Sequence, residues 1–134
     1  GQKTGAGYYD YEAGRNAKPS AVAERLILEF SARQGSVRRA VSDREILERC
    51  LYPMVNEGAR ILDEGIAARA SDIDTVWLSG YGWPLYRGGP MFWAELEGLP
   101  QILGRLRALQ REHGDDFRPA PLLERLVAEG RGFS

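Results

Sequence analysis

The sequence predicts an all-α fold: a compact helical domain of about five or six helices, one of them long and kinked, behind an irregular Gly/Tyr-rich tail. Three observations carry this expectation. Apolar residues recur at helical spacing in several segments, no segment sustains period-2 alternation, and helix-start residues precede the periodic runs. With 134 residues, 43% hydrophobic and 28% charged, the composition is that of one globular domain.

The tail comes first. Residues 1–19 hold four glycines, a proline and the cluster Tyr8, Tyr9 and Tyr11, which excludes a helix and allows a short extended piece at Tyr8–Tyr11. After Pro19 the pattern changes. Ser20 can cap a helix with apolar positions Val22, Leu26, Ile27 and Phe30, which Gly35 ends.

Ser42-Asp43-Arg44-Glu45 is a capping box and the best helix start in the chain. One wide apolar face follows, from Ile46, Leu47, Cys50 and Leu51 through Met54, Val55, Ala59, Ile61 and Leu62 to Ile66. This span of about 25 residues contains Pro53, which removes a backbone donor and predicts a kink near Arg49–Cys50. Ser71-Asp72-Ile73-Asp74 opens a further short helix, with both carboxylates expected at its positive N-terminus. Residues 91–96 read as a turn or two of helix. Pro100 opens a segment to about Glu112, and Pro121 opens a last helix through Glu129. All these apolar faces are expected to be core.

Between these helices, residues 77–93 gather all three tryptophans, two tyrosines, four glycines and two prolines. Such a loop is costly to order unless it packs on the domain's own core, a partner domain or a ligand. Within it, Arg87-Gly88-Gly89 could meet a phosphate or carboxylate with backbone amides nearby. The alternative is a tight turn in which Arg87 pairs with a neighbouring acid.

Other chemistry is sparse. A net charge of −1 gives no sign of a nucleic-acid partner, and no apolar run approaches a membrane span. Cys50 excludes an internal disulfide and reads as a core filler on an apolar face. His113, the only histidine, has no partner at metal-ligand spacing; beside Gly114 it reads as a helix-end residue able to bond a terminal carbonyl. No nucleophilic triad can be assembled without it. Gly5-Ala6-Gly7 and Gly80-Tyr81-Gly82 lack the strand, helix and third glycine of a dinucleotide loop. Neither catalytic, cofactor-binding nor metal-ligating residues are assigned. Sixteen of the 18 basic residues are arginine, which with abundant alanine hints at a GC-rich bacterial source and a cytoplasmic location. The Gly-Gln-Lys start, with no Met, suggests a processed or excised piece.

Residues 46–99 resemble the C-terminal helical domain of 3-hydroxyacyl-CoA dehydrogenases. The likeness runs through Ile46 to Ala67, Asp72-Ile73-Asp74, Gly80-Tyr81-Gly82-Trp83-Pro84, Gly88-Gly89-Pro90 and Gly98-Leu99. It is especially like the second copy of that domain in multifunctional fatty-acid oxidation proteins, which fuse an enoyl-CoA hydratase/isomerase to the dehydrogenase. Tyr86 to Phe92 and Arg118-Pro119-Ala120-Pro121-Leu122-Leu123 are similar to that subset. The resemblance implies that residues 1–19 are the end of a preceding copy and its linker, and that 20–134 are the helical domain.

It also implies that NAD and the catalytic histidine belong to a nucleotide-binding domain outside this sequence. Where active copies have an Asn-Arg pair, this chain has Glu48-Arg49. A carboxylate cannot donate an amide's hydrogen bond, so the copy looks catalytically degenerate; Asn56 does not match the active-site Asn. The expected partners are the preceding helical copy, the nucleotide-binding domain, the parent's acyl-CoA substrate and a second copy of the fragment. Trp77, Trp83, Tyr86 and Trp93 are the candidates for domain packing. Arg87, Gly88 and Gly89 are the candidates for substrate contact. A stand-alone interaction domain and an acyl-CoA-binding module remain the alternative functions.

Overall fold

Six α-helices and one two-stranded antiparallel sheet make up the regular structure of a computed structural model, which describes residues 1–11 and 16–134. The chain divides into two units, Gly1–Ala40 and Val41–Ser134.

In the first unit a single 3-10 turn, Gln2–Thr4, precedes strands β1 (Tyr9–Tyr11) and β2 (Ala17–Pro19). Tyr9 pairs with Pro19, Asp10 with Lys18 and Tyr11 with Ala17. The extended piece read at Tyr8–Tyr11 is therefore present, one residue shorter. Its partner strand is too short to show alternation in the sequence. Helix α1 (Ala21–Arg33) follows Ser20, whose backbone is extended and whose side chain makes no cap bond. Gly35, at φ 64°, turns the chain out of the helix. The amides of Gly35 and Ser36 then return to the carbonyls of Ala32 and Ser31 at 3.1 and 2.9 Å, which satisfies the last turn. One expectation fails here: Val22, Leu26, Ile27 and Phe30 are exposed rather than core. Helical periodicity identifies a face but not what covers it.

The second unit opens with α2 (Asp43–Asp63), then α3 (Ala70–Gly80), a 3-10 turn at Leu85–Arg87, α4 (Pro90–Glu97), α5 (Leu99–His113), a second 3-10 turn at Asp115–Phe117 and α6 (Pro121–Glu129). Ser42 caps α2 as expected, its hydroxyl accepting the Glu45 amide at 3.2 Å. Pro53 lies inside α2 without ending it. The helix is 21 residues long, shorter than expected. Gly65, at φ 70°, turns the chain and leaves Ile66 beyond the helix and exposed.

The wide apolar face of α2 splits in two. Tyr52, Val55 and Ala59, three and four apart, are buried. Ile46, Leu47 and Cys50 are exposed, so Cys50 is not a core filler: it falls on the side of the helix turned away from the buried stripe. Gly58 is also buried because α4 crosses there; a Cβ on it would run into the thioether of Met91. The small residue admits the fully buried Met91 side chain, offsetting the roughly 1 kcal/mol a helical glycine costs.

The core joins α2, α4, α5 and α6 through Tyr52, Val55, Ala94, Ile102, Leu106 and Leu123. Two prolines set helix starts as the sequence indicated: Pro121 is the first residue of α6, and Pro100 is the second residue of α5; Pro90, not singled out in the sequence as a helix start, is the first residue of α4.

Candidate functional site

Leu47, Leu51 and Met54 form the second stripe of α2, at spacings of four and three, and this stripe floors a groove of about 550 Å³. Trp77 of α3, Trp83 of the loop and Trp93 of α4 wall it, with Arg44, Arg87 and Glu97 among its polar lining. The tryptophans form a continuous ring chain. Trp77 and Trp83 lie 6.3 Å apart at 73°, Trp83 and Trp93 6.2 Å apart at 61°, and Trp93 reaches the buried Tyr52 at 6.1 Å. Edge-to-face pairs of this kind contribute about 0.5–1.5 kcal/mol each beyond area burial. The loop thus orders itself on its own unit. The Trp83 indole N–H is buried without an acceptor among the described residues.

Tyr86 and Arg87 differ from the tryptophans. Tyr86 is 83% exposed, and the Arg87 guanidinium lies 5.4 Å from its ring centre, a cation–π contact. Arg87 forms no ion pair with an acid among the described residues. The neighbouring glycines have structural reasons. Gly88 and Gly89 have φ of 74° and 94°; a Cβ on Gly88 would enter the Phe92 ring, and one on Gly89 the Asp74 carboxylate. Asp74 comes that close because it accepts the backbone N–H groups of Met91 at 2.7 Å and Phe92 at 3.1 Å.

This corrects the reading of the two aspartates. Asp72 does serve the start of its own helix, accepting from the Arg69 amide at 3.0 Å and its guanidinium at 2.9 Å. Asp74, one residue beyond the first turn, instead caps α4 from the side of α3. The two environments shift the carboxyls oppositely. The Arg69 hydrogen bond holds Asp72 below its ordinary value. Burial pushes Asp74 up, against the opposing pull of the two amides.

Glu48 is at the centre of a charged network under one end of the groove. Its two oxygens accept from Arg44 and Arg105, both at 2.8 Å. Arg44 also pairs with Glu97 and donates to the Tyr52 hydroxyl at 2.9 Å. That hydroxyl donates to Glu97 at 2.9 Å and accepts from Gln101 at 3.4 Å. Two carboxylates therefore face two guanidiniums across α2, α4 and α5. Their hydrogen bonds hold Arg44 above its ordinary value, and burial raises the Tyr52 phenol. Only the Arg44–Glu48 pair, four residues apart, was legible as an interaction in the sequence.

Sequence reasoning also passed over Asn56. It is buried and bonds both sides of the chain entering α6: its amide donates to the Arg118 carbonyl at 2.8 Å, and its oxygen accepts the Ala120 amide at 2.7 Å. His113 ends α5 near Glu112, at 3.6 Å, and beside the Phe117 ring; it does not line the groove. No group of three or more His, Cys, Asp or Glu residues able to hold a metal occurs among the described residues. Nor is any described helix long and apolar enough to cross a membrane.

A family model described as the C-terminal domain of 3-hydroxyacyl-CoA dehydrogenase matches residues 46–132. Similar proteins include the peroxisomal bifunctional enzyme of Danio rerio, 45% identical over 97% of this chain and 19% of that protein. The human peroxisomal bifunctional enzyme is 43% identical, over 97% of this chain and 18% of its own length. The peroxisomal fatty acid beta-oxidation multifunctional protein AIM1 of Arabidopsis thaliana is 39% identical, over 97% and 19%. The chain therefore spans under a fifth of the length of these relatives. Among solved structures, the dehydrogenase part of multifunctional enzyme 1 from C. elegans superposes with a TM-score of 0.68 at 30% identity, covering 93% of this chain and 29% of that one. These relatives are peroxisomal proteins of animals and plants, which overturns the expectation of a bacterial, cytoplasmic protein. Arginine-rich composition carries no address.

Proposed function

Because this chain belongs to the 3-hydroxyacyl-CoA dehydrogenase C-terminal domain family, we propose that it is the second helical copy in a multifunctional fatty-acid oxidation enzyme. Its role there is packing rather than chemistry. The match of nearly the whole chain to much longer β-oxidation enzymes carries the first half of this reading. The engagement of both Glu48 oxygens by Arg44 and Arg105 supports the second: the position that resembles an active-site Asn holds an acceptor already saturated by arginine.

The parent's reaction, on this reading, is the NAD-dependent oxidation of 3-hydroxyacyl-CoA to 3-oxoacyl-CoA. A base takes the hydroxyl proton and the carbon-bound hydride passes to the nicotinamide. Both events belong to a nucleotide-binding domain elsewhere in the parent. Neither Gly-x-Gly stretch is placed as a dinucleotide loop would be. Gly5-Ala6-Gly7 lies before β1, and Gly80-Tyr81-Gly82 closes α3 instead of joining a strand to a helix. The domain's contribution is a surface for the preceding helical copy, with the groove between α2 and the tryptophans as the contact.

One observation favours a second reading, an acyl-CoA-binding module: the groove's floor and walls are apolar, and its lining includes Arg87, which forms no ion pair with an acid among the described residues. Calorimetric titration of a 3-hydroxyacyl-CoA into the chain separates the two. The packing reading predicts a flat trace. Saturable heat that Arg87→Ala diminishes would establish the module instead.

A further inference from the structure

We propose that residues 82–88 form a hinged flap on the tryptophan groove, latched by Trp83 alone and able to swing open while the helices stay packed. The inference holds whether the groove receives a helical domain or an acyl-CoA.

The segment is tied mainly to itself. The amides of Arg87 and Gly88 donate to the carbonyls of Pro84 and Leu85 at 2.9 and 3.2 Å, and the Arg87 guanidinium rests on the Tyr86 ring. At its tip Leu85 and Tyr86 are 79% and 83% exposed. Among the described residues, its backbone makes one hydrogen bond to the rest of the unit: the Trp83 amide donates to the Trp77 carbonyl at 3.2 Å. That carbonyl also accepts the Tyr81 amide at 3.2 Å, so the bond is shared.

The Trp83 ring is the other tie, set edge to face against Trp77 and Trp93. This tie has a defect. The indole N–H reaches neither an acceptor nor solvent, and it is the one such side-chain atom among the described residues. Buried donors are nearly always paired. Stacking and burial favour the closed ring, whereas the orphaned donor opposes them, because water restores its hydrogen bond once the ring swings out. The opposition brings the open arrangement low enough to be visited as a minor state.

The backbone permits the swing. Gly82 has φ 72°, and a Cβ there would meet nothing, so the chain can turn at this end without a clash. The far end is held: Gly88 abuts the Phe92 ring, and Gly89 abuts the Asp74 carboxylate that caps α4. Gly82, Trp83, Pro84, Tyr86 and Arg87 all line the groove. Opening therefore widens it and bares Trp77 and Trp93 while α2 and α4 keep their contact.

Backbone hydrogen exchange in the 134-residue chain tests this. The Trp83 amide should exchange at least about tenfold faster than that of Leu106 in the core of α5, and with little dependence on denaturant, because a local opening exposes little surface. Replacing Trp83 by β-(3-benzothienyl)alanine, which has the shape of the indole without its N–H, should slow that exchange by about fivefold to a hundredfold. Trp83→Leu, which removes both ring contacts, should abolish protection at residue 83 and leave Leu106 protected. A Trp83 amide that exchanges together with Leu106, at the same denaturant slope, would overturn the proposal. So would an isostere that leaves the rate unchanged or raises it. Loss of protection at both positions in Trp83→Leu would make Trp83 part of the core rather than a latch, and would overturn it too.

Discussion

At the scale of single residues, three polar side chains decide local structure, and each acts through backbone it does not belong to. Asn56 bridges the Arg118 carbonyl and the Ala120 amide in a buried setting. Removing it leaves a donor with no partner, and such a group costs about 1–3 kcal/mol. Asn56→Ala should therefore lower the unfolding free energy by roughly that amount or more, read from urea denaturation. Asn56→Asp should also destabilise, because it keeps the acceptor and loses the donor. Asp74 caps a helix other than its own, and this explains Gly89 better than any ligand does. Asp72 gives a pH prediction with a definite sign. Arg69 holds its folded carboxyl below the ordinary 3.8, so the stabilisation is complete above that value and is lost as pH falls through the lowered one. The melting temperature of the chain should exceed that of Asp72→Asn at neutral pH, and the difference should close in acid.

At the scale of elements, helix starts were the most legible feature. Ser42, Pro100 and Pro121 each mark an observed beginning within a residue, because capping and proline chemistry is local. What each face meets was not legible. The apolar run of α2 read as one surface but serves two: Tyr52, Val55 and Ala59 enter the core, whereas Leu47, Leu51 and Met54 floor a groove. The stripe of α1 read as core and is exposed. Periodicity specifies a face; tertiary contact assigns it. The crossing of α2 and α4 shows the same limit, since nothing near Gly58 in the sequence announces Met91. Gly58→Ala would gain helix propensity in isolation, yet here its Cβ meets the Met91 thioether. It should destabilise by about 1–3 kcal/mol, measured as a shift in the denaturant midpoint with an unchanged slope.

At the scale of the whole molecule, the groove and the charged network beneath it belong to one unit but draw on residues far apart in the chain. Glu48 and Arg105 are 57 positions apart, Arg44 and Glu97 53. No local pattern connects such pairs, so the network was invisible until the helices were packed. Glu48 itself was singled out by resemblance, as a carboxylate where an amide is expected. Its two arginine partners add a physical reason for reading the copy as retired from chemistry. Glu48→Asn would restore the amide but leave Arg105 without its carboxylate, and should destabilise the unit by about 1 kcal/mol or more. The central claim is that this chain is a non-catalytic helical domain of a larger dehydrogenase. NADH formation from a 3-hydroxyacyl-CoA and NAD, assayed for the 134-residue chain and for the longer polypeptide that contains it, tests that claim most directly. The account predicts turnover by the longer polypeptide and none by the chain; turnover by the chain alone, or none by the longer polypeptide, would contradict it.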